Sequence, residues 1–317
     1  MGIVACMPFI TVEWQIYVLV FLLNVFNAFF TPTYKSIIPQ IVDKRYYREA
    51  IGLSTGTFQL LGVLDPGLAG ILAVWLGARE IFFVDAVSFV LAGILILTLP
   101  GELIRKVKLA EIRVKSLSTW QDVLKGARLL FGNRLIRFAL AIEFISAIAG
   151  APILVNTIGH IKMGLQLTDK HYGWVMAAFG IGASIAAFLS GSLDKTKNRQ
   201  RSLIFGALMI GLAISTANYV GFSAMLVLWI IAGFGQSLAE IPSETLIGEN
   251  IADEEQGKVY GSHFAFSHLW WAIAYPIAGF VGSRFPDRDF LYGGLLSLGL
   301  LLVGLLLFRS KGNNQSG

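Results

Sequence analysis

Between its charged loops this chain is a succession of apolar runs about 20 residues long, the length a helix needs to cross a bilayer. A hydrocarbon layer about 30 Å thick is spanned by roughly 20 residues because each residue of helix rises only about 1.5 Å. On that ruler spans fall at 13–34, 50–76, 81–99, 135–158, 172–193, 202–220, 224–247, 258–282 and 290–308. The first eleven residues, MGIVACMPFIT, read as the tail of one more. The runs must be helices. With no water in the bilayer every backbone amide has to bond within its own segment, and a barrel would show short alternating strands instead. The expected fold class is an all-α membrane protein.

Composition agrees: 55% of residues are hydrophobic and 14% charged, outside the range of soluble globular chains. The net charge of +5 suggests nucleic acid as a partner only until the basic residues are located. Taking loops alternately, 20 lysines and arginines lie on one side and 5 on the other, which predicts that the first side is cytoplasmic. That side holds Lys35, Lys44, Arg45, Arg48, the Arg105–Arg137 group, Lys195, Lys197, Arg199, Arg201, Lys258, Arg309 and Lys311, so the C-terminus is expected in the cytoplasm of a cell-membrane protein. A single cysteine, Cys6, rules out an intrachain disulfide or a cysteine-based metal cluster, and no cleavable signal peptide is expected.

Polar, basic residues from Pro100 to Trp120, followed by QDVLKGARLLFGN, form the one long loop, whose second part is expected to lie as an amphipathic helix on the cytoplasmic surface. The expected organisation is a partial first bundle at 1–100, a linker at 101–134, a six-helix bundle at 135–309 and a tail at 310–317. Shifting the chain by 210 residues pairs Pro32 with Pro242, Ile37 with Ile247, Ile41 with Ile251, Asp43 with Asp253 and Pro66 with Pro276. This is a weak parallel repeat of the kind that builds two-bundle transporters.

Several segments carry a family resemblance. FFTPTYKSIIPQIVDKRYYREAIGL resembles the fourth span and following loop of major facilitator superfamily exporters, in the branch of macrolide and siderophore efflux proteins. GVLDPGLAG is similar to that superfamily's antiporter motif in the fifth span, FFVDAVSFVLAG to its sixth span, and GSLDKTKNRQRS to the second-half copy of its loop motif. EEQGKVYGSHFAFSHLWWAIAYPIAG also resembles a nickel-resistance permease subgroup. The resemblance runs from about residue 1 to 309 and implies a two-bundle fold whose first bundle is incomplete here. Such proteins have twelve spans. The expectation is a start placed too far downstream, the alternative being a remnant of a transporter.

Asp65 stands where the antiporter motif has glycine before its proline. A charge at mid-bilayer costs at least about 2.5–3.5 kcal/mol on insertion scales, so it is kept where it faces a cavity or a partner. Asp65 is read either as a proton carrier or as a carboxyl bonding backbone freed by Pro66. Glu143 sits in a helix that the resemblance places along the transport path; it binds substrate or proton, or it pairs with Arg137 or Lys125. Glu240 and Glu244, four apart, share a helix face across Pro242 and could offer two carboxylates to a cation, although Glu244 lies near the span's end. His263 and His268 suit nickel, cobalt or proton relay, but five residues turn a helix by about 500° and leave the rings about 140° apart. One is expected at the cavity, with the other bonded to a neighbouring helix. Asp194, Arg199 and Arg201 form the loop that the resemblance makes a gate, and Pro66, Pro242 and Pro276 are expected helix breaks.

Gly52 to Gly56 spell GLSTG, the pattern of a nucleophile elbow, yet they open a membrane helix, where small residues serve helix packing; Gly173, Gly180 and Gly182 are read alike. Trp14, Trp270 and Trp271 are expected as interface anchors or packing groups. No enzyme and no cofactor is expected. The chain reads as a proton-coupled exporter working by alternating access, with the lipid bilayer and protons as partners and no nucleic acid. Its cargo is a drug-like organic compound or a divalent metal such as nickel. A non-transporting relic or a membrane partner subunit is the alternative.

Overall fold

The structure is a computed structural model describing residues 2–77, 79–98, 119–193 and 199–310, with side chains at all of these but 39, 40, 59, 62–74, 119, 120, 169, 191–193, 309 and 310. A short helix α1 (Gly2–Cys6) and a turn at Met7–Phe9 precede α2 (Glu13–Ile41), α3 (Tyr47–Leu76) and α4 (Ile81–Leu97). Then come α5 (Thr119–Gly132), α6 (Arg134–Val155), α7 (Asp169–Leu193), α8 (Arg199–Thr216), α9 (Phe222–Asn250), α10 (Gln256–Arg284) and α11 (Asp289–Ser310). No strand occurs among the described residues. Seven helices are long and apolar enough to cross a membrane, counted over the described residues, and α4 is a shorter apolar helix.

Each of the nine expected spans corresponds to a helix. The largest difference is at α2, which runs on past residue 34 to Ile41 and so takes Lys35 out of the loop and into the helix. Pro242 and Pro276 do not break their helices: α9 and α10 continue through them, as α6 does through Pro152. A proline at such a place removes one backbone bond, and neighbouring turns carry the helix across. Pro66 and Asp65 fall within α3, but their side chains lie outside the described residues, as does Asp194 altogether.

α6 is the hub. The Asn133 side chain caps its start, accepting bonds from the amides of Leu135 at 2.9 Å and Ile136 at 3.3 Å. From Ile136 to Ile153 nearly every residue of α6 is buried. Its first half packs with Leu203, Ala239, Leu246, Val259 and Leu301, and its second half joins a cluster around Ile210, Trp229 and Phe290. An all-round apolar helix of this kind belongs in the centre of a bundle.

Helices approach closely where small residues meet. A Cβ on Gly206 would stand 2.5 Å from the Gly235 carbonyl oxygen, and one on Gly235 would stand 2.7 Å from that of Gly206, so α8 and α9 touch backbone to backbone. Gly52 and Gly56 seat α3 on α7 against Ser190 and Phe188, which agrees with packing rather than chemistry for GLSTG.

α5 does not lie free on a surface. Leu130 is fully buried in the α6 core, Phe131 packs edge-on against Phe266 at 4.8 Å, and Asp122 and Lys125 reach Lys258 and Glu255. One side of α5 is covered by α6 and α10, while Val123 and Leu124 stay exposed on the other.

The repeat holds with a corrected register. α2 and α9 both have 29 residues and end alike: Val42 has φ −108°, ψ 137° and Ile251 φ −109°, ψ 135°, while Asp43 and Ala252 both have φ −60°, ψ 142°. The separation is therefore 209, the separation of Lys35 and Glu244, and Asp43 corresponds to Ala252, not Asp253. At 209 none of the five identities found at 210 survives: Pro32 falls opposite Ile241, Ile37 opposite Leu246, Ile41 opposite Asn250 and Pro66 opposite Tyr275, so the repeat lies in helix lengths and joint geometry and not in those residues.

Gly206→Val or Gly235→Val is expected to force α8 and α9 apart and cost about 1–3 kcal/mol, read as an earlier thermal transition of purified protein in detergent. Gly173→Ala, where a Cβ meets nothing within 4 Å, is expected to leave that transition in place.

Candidate functional site

Four helices converge on one cavity of about 550 Å³. α2 contributes Lys35, α6 Glu143, α9 Glu240 and Glu244, and α10 His263, Ser267, His268, Trp270, Trp271 and Tyr275. Five of the six residues expected to carry protons or substrate thus share one wall system. The sixth, Asp65, has its side chain outside the described residues.

The charged groups are arranged in pairs. Glu143 and His263, 7% and 5% exposed, face each other across α6 and α10, with both carboxylate oxygens at 2.8 and 3.0 Å from Nε2. Lys125, one of the two partners considered for Glu143 with Arg137, instead bonds Glu255 at 2.7 Å. Lys35 forms an ion pair with Glu244. Glu244 is thus partnered within the cavity, not simply hydrated at a helix end. Tyr260 donates to the Glu244 backbone carbonyl at 2.9 Å, anchoring that turn of α9. Glu240 accepts a bond of 2.5 Å from the buried Gln236 amide on the preceding turn. Spacing of four residues on α9 does put Glu240 and Glu244 on one face, as expected.

His263 and His268 both line the cavity, though in different ways. His263 makes the interhelical bond; His268 is exposed, donates Nδ1–H to the Phe264 carbonyl at 2.8 Å within its own helix, and lies against the Phe264 ring at 3.9 Å. Among the described residues no three His, Cys, Asp or Glu side chains come together as a metal-ligand set. Trp270 and Trp271, read in the sequence as interface anchors or packing groups, pack against the cluster around Ile148 and Ala278 and also line the cavity, whereas Trp14 is 60% exposed and lies elsewhere.

Lys35 is the residue that sequence reading missed. It was counted as a loop cation because the apolar run thins out at TPTYKS; the signal was a single lysine with apolar residues on both sides and no second charge nearby. Of the expected gate, Arg199 is 8% exposed and holds Glu249 bidentately, Nη2 to Oε1 at 2.5 Å, joining the start of α8 to the end of α9. Arg201 is exposed. Outside the helices, Arg45 bonds the Asp43 carboxyl at 3.1 and 3.2 Å and holds it below the usual carboxylate range.

An apolar helical bundle around an internal charged cavity defines a multi-pass membrane protein. The pattern of the Major Facilitator Superfamily matches residues 1–168 and again 138–316, and the chain belongs to that superfamily. It is similar to the MFS-type transporter YfiS of Bacillus subtilis (strain 168), 22% identical over 322 residues, covering 98% of this chain and 74% of the relative. YkuC of the same organism is 22% identical over 307 residues, covering 92% and 69%. The staphyloferrin A transporter of Staphylococcus aureus (strain NCTC 8325 / PS 47) is 21% identical over 239 residues, covering 74% and 58%. Among solved structures, a bacterial homologue of the iron transporter ferroportin in its outward-facing state has the same fold, with a TM-score of 0.58 at 16% identity. The match covers 87% of this chain and 66% of that one, so this chain spans just under two thirds of its length.

His263→Ala strands the Glu143 carboxylate between packed helices and is expected to cost about 3–5 kcal/mol, seen as a lower thermal transition. Adding Glu143→Gln to that variant removes the unpaired charge and is expected to recover part of the loss.

Proposed function

We propose that this chain is a secondary transporter that exports a small amphipathic organic compound, cationic under working conditions, in exchange for protons. The supporting observation is the charge of the cavity: among the described residues its lining sets three carboxylates, Glu143, Glu240 and Glu244, against one lysine, Lys35, and the imidazoles of His263 and His268. Such a cavity attracts cations and can accept protons in their place. Alternating access follows from two bundles, residues 1–100 and 135–309 joined by 101–134, rocking about the site. A proton moving inward releases about 2.3 kcal/mol per 100 mV, which drives the exchange.

The walls favour an organic cargo. Trp270, Trp271 and Tyr275 offer ring faces beside the carboxylates, the combination that holds an organic cation, and about 550 Å³ suits a drug-sized molecule. For a bare divalent ion such as nickel the support is weaker, since among the described residues no three His, Cys, Asp or Glu side chains come together as ligands. The basic residues put the end bearing the 42–46 and 251–255 turns, and the C-terminus, in the cytoplasm of a cell-membrane protein. Moving Lys35 into α2 leaves the sign of that asymmetry unchanged. Arg199 and Glu249 serve as a gate at this end; Arg199 and Arg201, expected in a loop, both lie in the first turn of α8, and Asp194 is outside the described residues.

The second reading, a membrane subunit that completes a pathway with another chain, draws on α2, whose most apolar 18-residue window within Glu13–Ile38 has no buried residue.

Cells lacking their own drug exporters separate these readings. Expression of the chain is expected to lower accumulation of lipophilic cations and to be sensitive to a protonophore; Glu240→Gln is expected to abolish the effect at unchanged expression. Raised nickel tolerance without any effect on organic cations would overturn the organic cargo. No effect on either would leave the subunit reading.

A further inference from the structure

We propose that Lys35 is a tethered competitor of the cargo: its ammonium occupies the anionic cavity when nothing else does, and a cationic ligand has to displace it from Glu244. This inference rests on the cation-binding reading above and deepens it by naming the residue that sets how tightly cations are held.

Three observations carry it. First, Lys35 is not a loop residue; it lies inside α2, six residues before the helix ends, and lines the same cavity as Glu143, Glu240 and Glu244. A lysine there has no reason to point inward except the carboxylates. Second, the partners differ in freedom. Glu244 is 16% exposed and sits on a turn of α9 that Tyr260 fastens by its hydroxyl, whereas the Lys35 side chain is 33% exposed. The carboxylate is the fixed member of the pair and the ammonium the movable one, a point charge on a flexible four-carbon stem. Third, the two residues stand at equivalent places in the two repeated hairpins, 209 apart. Each hairpin thus contributes one member of the pair, so a cation that replaces Lys35 at Glu244 removes a tie between α2 and α9 as it binds.

Competition of this kind has a definite sign. Removing the lysine charge vacates Glu244 and deletes a repulsive neighbour, so cations bind more tightly; a lysine that served only to hold the helices together would give weaker binding when removed.

The experiment uses the full chain purified in detergent and tetraphenylphosphonium as the probe, in a Cys6→Ser background, Cys6 being the one cysteine of the chain. Lys35→Met is expected to tighten binding by at least about tenfold, the effect of one unit charge removed at close range. Lys35→Arg is expected to stay within about twofold of the parent, since the charge is kept. In Lys35→Cys, binding is expected to be tight, and aminoethylation of that thiol, which rebuilds a lysine-like side chain, is expected to return it to the parent value. The reversal within a single folded sample separates competition from a structural role and stands in if Lys35→Met fails to fold. Unchanged or weaker binding in a monodisperse Lys35→Met or unmodified Lys35→Cys protein would overturn the proposal while leaving the cation site intact. Absence of tetraphenylphosphonium binding by the parent together with Lys35→Met would overturn both the proposal and the cationic cargo.

Discussion

Carboxylates placed between apolar helices have to be matched, because lipid and packed apolar side chains do not solvate them, and the architecture around the cavity follows from that constraint. Glu143 lies on the helix with the most buried residues among those described, and His263 on α10 meets both of its oxygens. Glu240 takes the amide of Gln236 and Glu244 the ammonium of Lys35. Each match spans a helix pair or a helix turn, so the cavity wall and the packing of α2, α6, α9 and α10 are one arrangement. Membrane-embedded ionisable groups of this sort are costly enough that each is kept beside a partner or a cavity.

Backbone proximity makes that arrangement possible. Where Gly206 faces Gly235, α8 and α9 lie close enough that neither could carry a side chain, and this fixes α9 relative to the rest of the bundle. In lipid there is little hydrophobic gain in bringing two helices together, so close contact of small residues supplies the attraction. Glycine frequency announces such contacts in a sequence without saying which glycine meets which: Gly182 abuts the Ile230 carbonyl, while Gly173 has open space around it.

Most of the fold was legible from run length, since the thickness of a bilayer imposes one scale on every span. The site was legible in its membership and less so in its pairing. Glu143, Glu240, Glu244, His263 and His268 stand out because charge and imidazole are rare in apolar runs, and all five line one cavity. Their partners depend on the rotation of one helix against another, which period and spacing within a single helix do not contain; Glu143 accordingly pairs with His263 and not with Lys125. Lys35 escaped for a related reason. At the edge of an apolar run a lysine within the helix and one beyond it leave the same local pattern, and only tertiary contact tells them apart. The amphipathic period of α5 likewise shows that one face is covered, and is silent on whether lipid or protein covers it.

The seating of α5 has a consequence for how the molecule transmits movement. Lys258, two residues into α10, is gripped by Asp122 of α5 at 3.3 Å and by Glu255 at 3.2 Å, while Glu255 is also held by Lys125. α10 is the helix that carries His263 and the aromatic wall. A shift of that wall is therefore conveyed along a rigid rod to α5, whose Val123 and Leu124 stand 49% and 62% exposed. α5 is in this way harnessed through α10 to the candidate cavity, and an optical label on its outer face would follow any displacement of that wall from outside.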